Sequence, residues 1–401
     1  MNHLTLSSLK SAWVILISTL SAFIAIGMIT NFIPILIFEE IVPSALVIGI
    51  LSAFLWFANA IWRIPIGYLI DKIGRFKINI SGLLILGISA IFMALSRDIV
   101  IFSFLAVVRG IGSGAFIAAS LISVADITQS EEMGKVVGFE SASWGLGDAL
   151  GSLFGGILAF YFGLSLLFII SGFLALATSL FVGLFLKETF QTKEITNKTH
   201  SRWTTRVREF FSSGLENRII CAIIMADFVA ALGSASLIGF RALYLLIHYK
   251  LNFLWIGIIS SILVGIITVT NPFAGYIVDK FGRKKILLIG SFGSAFATFF
   301  FAIFSSLFEL IIIVVFNGLV ASFYSVADNS IILEVSTSEK RGQVYGVWST
   351  FWTLGFGIGV LLAGWIWEAY APWIVFVSGS ILIAAGGVVF LILGKETKSL
   401  Y

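Results

Sequence analysis

Several ionisable residues stand inside long apolar stretches of this sequence, where a charge is costly and usually has a function. The main candidates are Arg109, Glu140, Asp148, Asp227 and Arg241. A carboxyl group in an apolar setting can take up and release a proton, and a guanidinium group can neutralise a carboxylate or bind an anion. These residue types therefore predict proton transfer or recognition of a charged solute.

Arg109 and Asp148 form the first candidate pair. They stand in two consecutive apolar segments, at 99–123 and 134–160, and a helix rise of about 1.5 Å per residue places both near mid-depth. Consecutive antiparallel helices usually pack together, so we expect the two side chains to meet. Such a pair either couples a proton to a conformational change or serves as a static ion pair.

The other buried charges predict different roles. Asp227 has no basic residue near its depth, and a buried carboxylate without a counter-charge tends to be protonated, which makes Asp227 a candidate proton carrier. Glu140 can pair with Arg63, because both lie at a similar predicted depth. Arg241 either meets an anionic group of a substrate or extends its guanidinium towards the membrane surface. Asp328, close to a predicted helix end, is expected to be solvated or structural.

A charged phrase occurs twice, as GYLIDKIGRFK at 67–77 and as GYIVDKFGRKK at 275–285. We call it the doubled phrase. Its glycines permit a tight turn and close helix contact, its aspartate suits the N-terminus of a neighbouring helix, and its arginine can pair with a carboxylate at another helix end. The alternative is a solvated basic turn. The residues involved are Gly67, Asp71, Gly74 and Arg75 with Asp126, and Gly275, Asp279, Gly282 and Arg283 with Glu334.

The elements that position these residues are membrane helices. The chain has 401 residues, of which 59% are hydrophobic and 11% charged, whereas soluble proteins are about 45–50% apolar and about 25% charged. A bilayer crossing needs about 20 apolar residues, and continuous runs exclude the alternating pattern of barrel strands. We predict an all-α membrane protein with twelve transmembrane helices, at 12–37, 44–70, 77–95, 99–123, 134–160, 163–186, 217–247, 252–278, 285–305, 307–332, 342–367 and 372–394.

The orientation follows from the basic residues. Most of the 25 lysines and arginines fall in the segments that lie on one side of the membrane if the N-terminus is cytoplasmic. Basic residues concentrate on the cytoplasmic side, so both termini are predicted to be cytoplasmic in a multi-pass protein of the cell membrane. The same distribution accounts for the net charge of +4, and nucleic-acid binding is not expected.

The chain contains an internal repeat, in which matching stretches of the two copies are 208 residues apart. Beyond the doubled phrase, SEEMGKVVGFESASWGLGDALGSLFGG at 130–156 aligns with SEKRGQVYGVWSTFWTLGFGIGVLLAG at 338–364. Six helices per copy give both copies the same orientation, which makes a parallel six-plus-six repeat. We predict a first six-helix half at 1–186, a basic cytoplasmic linker at 187–216 and a second six-helix half at 217–401.

Over nearly its whole length the chain resembles the major facilitator superfamily. The doubled phrase is similar to that family's signature between helices 2 and 3, G-x-L-x-D-x-x-G-R-[RK], with Phe76 departing from the basic position of the first copy. The resemblance implies a transporter whose substrate binds between its two halves. It also implies that the doubled phrase and its carboxylate partners form a cytoplasmic latch, which stabilises the outward-facing state.

Two further motifs resemble the proton-coupled branch of that family. Arg109, followed by small residues in RGIGSG, is similar to the helix 4 motif that is associated with proton coupling. The stretch GDALGSLFGG resembles the antiporter motif of drug–proton exchangers, with Ser152 in place of its proline. The alternative is plain helix packing by small residues. The glycines concerned are Gly147, Gly151, Gly155 and Gly156.

The resemblance implies proton-coupled efflux of a small organic solute by alternating access. The alternative is proton-linked uptake or facilitated diffusion of a sugar or organic acid, because KET after the sixth and twelfth helices is similar to the ends of sugar porters. The sequence has no H-E-x-x-H, cysteine cluster or phosphate-binding glycine loop, so we expect neither an enzyme nor a metal site nor a cofactor. The expected partners are the solute, protons and the lipid bilayer, and we expect a monomer.

Overall fold

The structure is a computed structural model that describes residues 6–127, 133–186, 218–336 and 341–396. These residues form helices and no strand, as predicted. The helices are α1 (Leu6–Thr30), α2 (Ile33–Glu40), α3 (Ala45–Ile73), α4 (Arg75–Leu95), α5 (Ile99–Ile127), α6 (Met133–Phe185), α7 (Arg218–Ile247), α8 (Phe253–Phe281), α9 (Arg283–Ile303), α10 (Leu307–Val335), α11 (Arg341–Ala369) and α12 (Pro372–Leu393).

Local sequence explains several helix boundaries. Gly74 separates α3 from α4 with a φ of 103°, and Gly282 separates α8 from α9 with a φ of 93°. A side chain disfavours this backbone conformation, so the glycines of the doubled phrase produce the tight turn that the sequence predicts. At the start of α10, Ser306 and Glu309 form a capping box, in which the Ser306 hydroxyl accepts a hydrogen bond from the Glu309 N–H at 3.2 Å.

Within the described residues, eleven helical segments are long and apolar enough to cross a membrane. α1 and α2 together supply one of them, at Ala12–Glu40. α6 has 53 residues and contains a non-helical residue, Gly163, with a φ of 82° and a ψ of 169°. This break lies at the predicted boundary between the fifth and sixth helices. The count of twelve, the six-plus-six arrangement and the cytoplasmic termini stay predictions.

The helices group into two compact units. Of the described residues, unit 1 contains 6–42, 61–127, 133–186 and 251–261. Unit 2 contains 43–60, 218–250, 262–336 and 341–396. The beginning of α3, at 45–60, therefore belongs to the unit of the later helices, and the beginning of α8, at 253–261, belongs to the unit of the earlier ones. Each unit has its own apolar core, around Leu83 and Phe116 in unit 1 and around Ile223 and Ile331 in unit 2.

A close helix crossing in each unit depends on a pair of glycines. In unit 1, a Cβ on Gly156 of α6 would lie 2.7 Å from the Cα of Gly257 of α8. In unit 2, a Cβ on Gly364 of α11 would lie 3.1 Å from the Cα of Gly49 of α3. Both distances leave no room for a side chain. Gly257 is the repeat counterpart of Gly49, and Gly364 is that of Gly156, so the two crossings are equivalent in the two copies.

The remaining glycines of the antiporter-like stretch pack α6 onto α1. A Cβ on Gly147 would lie 2.6 Å from the Leu20 carbonyl oxygen, and one on Gly151 would lie 2.9 Å from the Met28 nitrogen. A Cβ on Gly155 would lie closer still, against the Met28 carbonyl oxygen. α6 therefore presents a flat face of small residues to α1, as the spacing of the glycines predicts.

Candidate functional site

A cavity of about 370 Å³ lies within unit 2. α7 to α12 all contribute to its wall, which combines apolar side chains with hydroxyl groups, two indoles and a few ionisable groups. Volumes of a few hundred cubic ångströms are typical of small-molecule sites. The cavity is lined by Ala230, Ser234, Leu237, Ile238, Arg241, Leu263, Ile267, Ser291, Ser294, Thr298, Asn317, Ala321, Tyr324, Ser325, Asp328, Asn329, Trp348, Trp352 and Ile383.

Two buried aspartates lie next to each other, and Asp328 lines the cavity. Asp227 of α7 is 1% exposed and Asp328 of α10 is 2% exposed, and their carboxyl groups are within reach of a hydrogen bond. The Tyr324 hydroxyl donates a hydrogen bond to Asp227 Oδ1, and the Trp348 Nε1–H donates one to Asp227 Oδ2 at 2.5 Å. Ionised carboxylates only accept hydrogen bonds, so a hydrogen bond between the two carboxyl groups would require one proton. We call Asp227 and Asp328 the carboxyl pair.

No basic side chain of the described residues is hydrogen-bonded or ion-paired to Asp227, in line with the sequence prediction. Arg241 is buried and lines the cavity, but it follows Asp227 by fourteen residues on α7, about 21 Å along the helix. Of the two expectations for Asp328, solvated or structural, the first was wrong, because the side chain is buried. The residue sits one turn after Tyr324 on the face of α10 that meets α7, so packing removes it from solvent.

Unit 1 contains a second buried polar cluster. Glu140 of α6 is 1% exposed and accepts a hydrogen bond from the Ser120 hydroxyl of α5 at 2.9 Å. The Ser120 hydroxyl is in turn 2.9 Å from the Thr19 hydroxyl of α1. Thr19, Ser120 and Glu140 are the repeat counterparts, in the first copy, of Asp227, Asp328 and Trp348. The two halves therefore gather polar groups at the same place in their folds.

Arg109 and Asp148 do not form the predicted pair. Arg109 of α5 is 4% exposed and makes no hydrogen bond or ion pair with the described residues. Asp148 of α6 faces α1, because a Cβ on Gly27 would lie 2.6 Å from its Oδ1. The prediction failed because it assumed that consecutive helices face each other. The glycine face that includes Gly147 turns this side of α6 towards α1 instead of α5.

The ion pairs predicted for the doubled phrase are present. Arg75 Nε donates to Asp126 Oδ2 at 2.8 Å, and Arg283 pairs with Glu334. Each pair lies within one unit and joins the start of one helix to the end of another. Asp279 is exposed and makes no hydrogen bond or ion pair with the described residues.

Some predicted contacts fall outside the described part of the structure. They involve Arg63, Gly67 and Asp71, and the predicted linker at 187–216 also lies outside the described residues. The predicted pairing of Glu140 with Arg63 and the contact of Asp71 with a helix N-terminus therefore stay predictions. Gly275 belongs to α8, and a Cβ there would have no atom within 4 Å, so this glycine does not mark a close contact.

Two glutamates that sequence reasoning did not single out cap helices. Glu396 Oε1 accepts a hydrogen bond from the Lys284 N–H at 3.3 Å, and Lys284 Nζ donates to the Gly394 carbonyl at 2.6 Å. The KET after α12 thus fixes the second copy of the doubled phrase. Glu368 Oε2 of α11 accepts a hydrogen bond from the Ala45 N–H at 2.9 Å, at the start of α3. The recurrence of KET in both copies of the repeat was the available signal for Glu396.

Comparison with protein families gives one family over most of the chain. A family model described as Major Facilitator Superfamily matches residues 15–269 and 223–400. Multidrug resistance protein 2 of Bacillus subtilis is 26% identical over 97% of this chain and 96% of its own length. Inner membrane transport protein YajR of Escherichia coli is 27% identical over 85% of this chain and 74% of its own length.

Solved structures have the same fold. The nucleoside transporter NupG superposes with a TM-score of 0.75 at 14% identity, covering 97% of this chain and 99% of that one. A bacterial homologue of the human lysosomal transporter Spinster, inward-facing and unoccupied, gives a TM-score of 0.75 at 17% identity, with coverage of 98% and 96%.

Proposed function

The chain belongs to the Major Facilitator Superfamily, and we propose that it exports a small organic solute in exchange for protons by alternating access. Members of this family are secondary transporters and not enzymes, so the protein is a secondary transporter in the cell membrane, with several membrane-spanning helices. The proposal concerns the direction of transport, the proton coupling and the kind of solute.

One observation above all supports proton coupling. The carboxyl pair is buried at a cavity of small-molecule size, and its two members cannot hydrogen-bond to each other without a proton. A group that must hold a proton in one state, and that lies where a solute would bind, can link proton uptake to solute release. The likeness to relatives that are named multidrug resistance proteins favours efflux over uptake.

The arrangement that we propose has six helices in 1–186, a cytoplasmic linker at 187–216 and six helices in 217–401, with both termini in the cytoplasm and the protein a monomer. The two glycine crossings, at Gly49 with Gly364 and at Gly156 with Gly257, support a parallel repeat, because equivalent contacts recur in both copies. Twelve crossings also follow if the chain reverses at Gly163, since 53 helical residues greatly exceed one bilayer crossing.

Arg109 and Asp148 keep a proposed role in coupling, but not as a resting ion pair. A buried charge left without its partner costs about 3–5 kcal/mol. Arg109 makes no such contact in the described residues, so a bound solute or another conformation would supply one. Asp148 is one turn from the glycines that pack α6 on α1, where a change of its protonation would act on that contact.

We propose that the doubled phrase acts as a cytoplasmic latch. Its ion pairs, Arg75 with Asp126 and Arg283 with Glu334, hold neighbouring helix ends within one unit and so orient the phrase. The aspartates are then the groups that engage another helix N-terminus. Asp279 is exposed in this structure, which fits a latch that closes only in another state.

Uptake of a sugar or organic acid is the weaker proposal. Its support in the sequence was the repeated KET, and the capping role of Glu396 gives that motif a structural reason. Arg241, which lines the cavity and could meet an anion, is the remaining feature that fits an organic acid.

Proteoliposomes test the proposed function. Purified protein would be assayed for transport of a panel of organic amines, neutral drugs, sugars and organic acids, with and without a pH gradient. We expect a solute to move against its concentration towards the acidic compartment. The double variant Asp227→Asn/Asp328→Asn should lose this acceleration by at least about tenfold. Equal rates with and without the gradient would show a uniporter.

A further inference from the structure

Two fully buried polar side chains of unit 1 make no polar contact in the fold described so far. Asn79 of α4 and Ser123 of α5 are each 0% exposed. Neither the Asn79 amide, at Nδ2 or Oδ1, nor the Ser123 Oγ has a hydrogen-bond partner among the described residues. Buried polar groups in folded proteins are nearly always hydrogen-bonded, to the protein or to ordered water. These two side chains therefore indicate that something besides the chain binds to them.

Asn79 and Ser123 lie opposite each other where α4 packs on α5. Asn79 follows Arg75 by one turn of α4. Ser123 precedes Asp126 by one turn of α5, and Asp126 Oδ2 is 2.8 Å from Arg75 Nε. Residues three or four apart share a helix face, so the two side chains face each other one turn deeper than this ion pair. Because they do not bond directly, a gap wider than one hydrogen bond separates them.

The second copy of the repeat has apolar side chains at both positions. The counterparts of Asn79 and Ser123 are Leu287 and Ile331, which belong to the apolar core of unit 2 and are 1% and 0% exposed. The scaffold therefore accepts a dry core at this place. The first copy alone has two polar residues here, and no described contact within the fold accounts for them.

We propose that an ordered water molecule binds between Asn79 and Ser123 and joins the polar cluster of Glu140 to the ion pair of Arg75 and Asp126. A buried water makes about three hydrogen bonds to groups that the protein leaves unsatisfied. An amide and a hydroxyl can each donate and accept, so the two side chains supply two of these bonds. The inference concerns unit 1 and does not depend on the proposed solute exchange in unit 2.

Ser120 supplies the third contact of the water. It lies one turn before Ser123 on the same face of α5, about 4.5 Å along the helix. Its hydroxyl donates to Glu140 at 2.9 Å, so in its contact with Thr19, also at 2.9 Å, it accepts. A hydroxyl has two acceptor lone pairs, which leaves one for an O–H of the water. Two hydrogen bonds of about 2.8 Å each are long enough to span this step.

The water gives Glu140 a polar route to the side of the membrane on which Arg75 lies. The route follows α5 through Ser120, the water and Ser123, and it ends beside the exposed Asp126. Hydroxyl groups and water both donate and accept, so a proton passes along the route as one O–H bond breaks and the next forms. The carboxyl group of Glu140 therefore exchanges protons with this side, although the residue is only 1% exposed.

Thermal unfolding of the purified full chain tests the water site. Ser123→Ala and Asn79→Leu each remove part of the site, so each should lower the unfolding temperature by a few degrees. If the two groups were dry, the same changes would remove an unsatisfied polar group and raise this temperature. Ser103→Ala is the matched control on α5, because its exposed hydroxyl donates to the Ile99 carbonyl of its own helix, and it should unfold as the wild type does. A rise in either test variant would overturn the proposal.

A wild-type structure at about 2 Å resolution decides the question directly, also where a variant fails to fold. A water oxygen should lie about 2.7–3.2 Å from the Asn79 amide and from Ser123 Oγ. A direct hydrogen bond between the two side chains, or no water at this place, would refute the site.

Hydrogen exchange at Glu140 tests the route. The infrared band of its carboxyl group, identified by its loss in Glu140→Gln, should shift promptly when the wild type is transferred to D2O. The double variant Asn79→Leu/Ser123→Ile carries the residues of the second copy. It should slow the shift at least about tenfold, because exchange then requires local opening of the helices. Equal rates in the wild type and the double variant would show that Glu140 does not exchange along this route.

Discussion

Two buried polar clusters occupy the same position in the two halves but are built from different residues. The first is Thr19, Ser120 and Glu140, and the second is Asp227, Asp328 and Trp348. The first holds one carboxyl group with two hydroxyls, and the second holds two carboxyl groups with an indole. The second cluster also adjoins the cavity of unit 2.

The scaffold around the clusters has been kept in both copies. The glycine crossings, the positive-φ turns of the doubled phrase and the arginine–carboxylate pairs all recur at equivalent positions of the repeat. Repeated features therefore belong to the folding and movement of a half. Features present in one copy are candidates for the chemistry, and this difference between the copies is why we propose the carboxyl pair as the centre of coupling.

The largest expected effect compares the clusters directly. Asp328→Asn should reduce gradient-driven transport by more than about tenfold while solute exchange at equal pH continues, because the amide cannot release a proton. Glu140→Gln should reduce it by less, about two- to fivefold, since Glu140 is a single carboxyl group held by hydroxyls. Transport by both variants in proteoliposomes measures the difference. Equal losses would mean that both clusters couple protons.

The second prediction concerns the glycine crossings. Gly257→Ala and Gly49→Ala each add a Cβ within 2.6–2.8 Å of the facing helix, so each should destabilise this conformation by about 1–3 kcal/mol. Thermal unfolding and labelling of single cysteines on both sides of the membrane measure the change. Gly265→Ala is the control, because nothing lies within 4 Å of its added Cβ. If only one crossing responds, the two halves do not move in equivalent ways.

The third prediction concerns the latch. Asp71→Asn should shift the protein towards inward-facing states, because an amide is a weaker partner for a helix N-terminus than a carboxylate. Asp279→Asn should shift it in the same direction by a few-fold at most, about the 0.3–1 kcal/mol of such contacts. Cysteine accessibility measures the populations. Unchanged accessibility on both faces in both variants would exclude the latch.

The smallest effect concerns a contact with no repeat counterpart. Glu368 caps the start of α3 with its carboxylate, whereas Phe160 stands at the equivalent position of the first copy. Glu368→Gln should weaken this cap by about 0.3–1 kcal/mol, which labelling of a cysteine near Ser44 would report. An unchanged labelling rate would show that the Gly49–Gly364 crossing alone holds these helices together.

Several features could be predicted from the sequence because they depend on distance along the chain. Arg75 was matched to Asp126, and Arg283 to Glu334, because helix ends on one side of a membrane come together whatever the rotation of each helix. The helical content followed for a related reason. In lipid every backbone polar group needs a partner within its segment or barrel, and continuous apolar runs leave only the helix.

The sequence predicted how far along its helix each buried charge lies, but it did not predict which neighbouring helix the side chain faces. Arg109 and Asp148 stand in consecutive helices, yet Asp148 faces α1, because the glycine face of α6 packs there. Asp227 and Asp328 stand far apart in the chain, and no spacing rule brings them together. Helix rise gives a coordinate along the membrane normal, whereas the rotation of each helix is set by how its neighbours pack. The sequence therefore determined the long apolar helices and the two ion pairs of the doubled phrase, and only the tertiary structure decided that Asp227 and Asp328 lie next to each other.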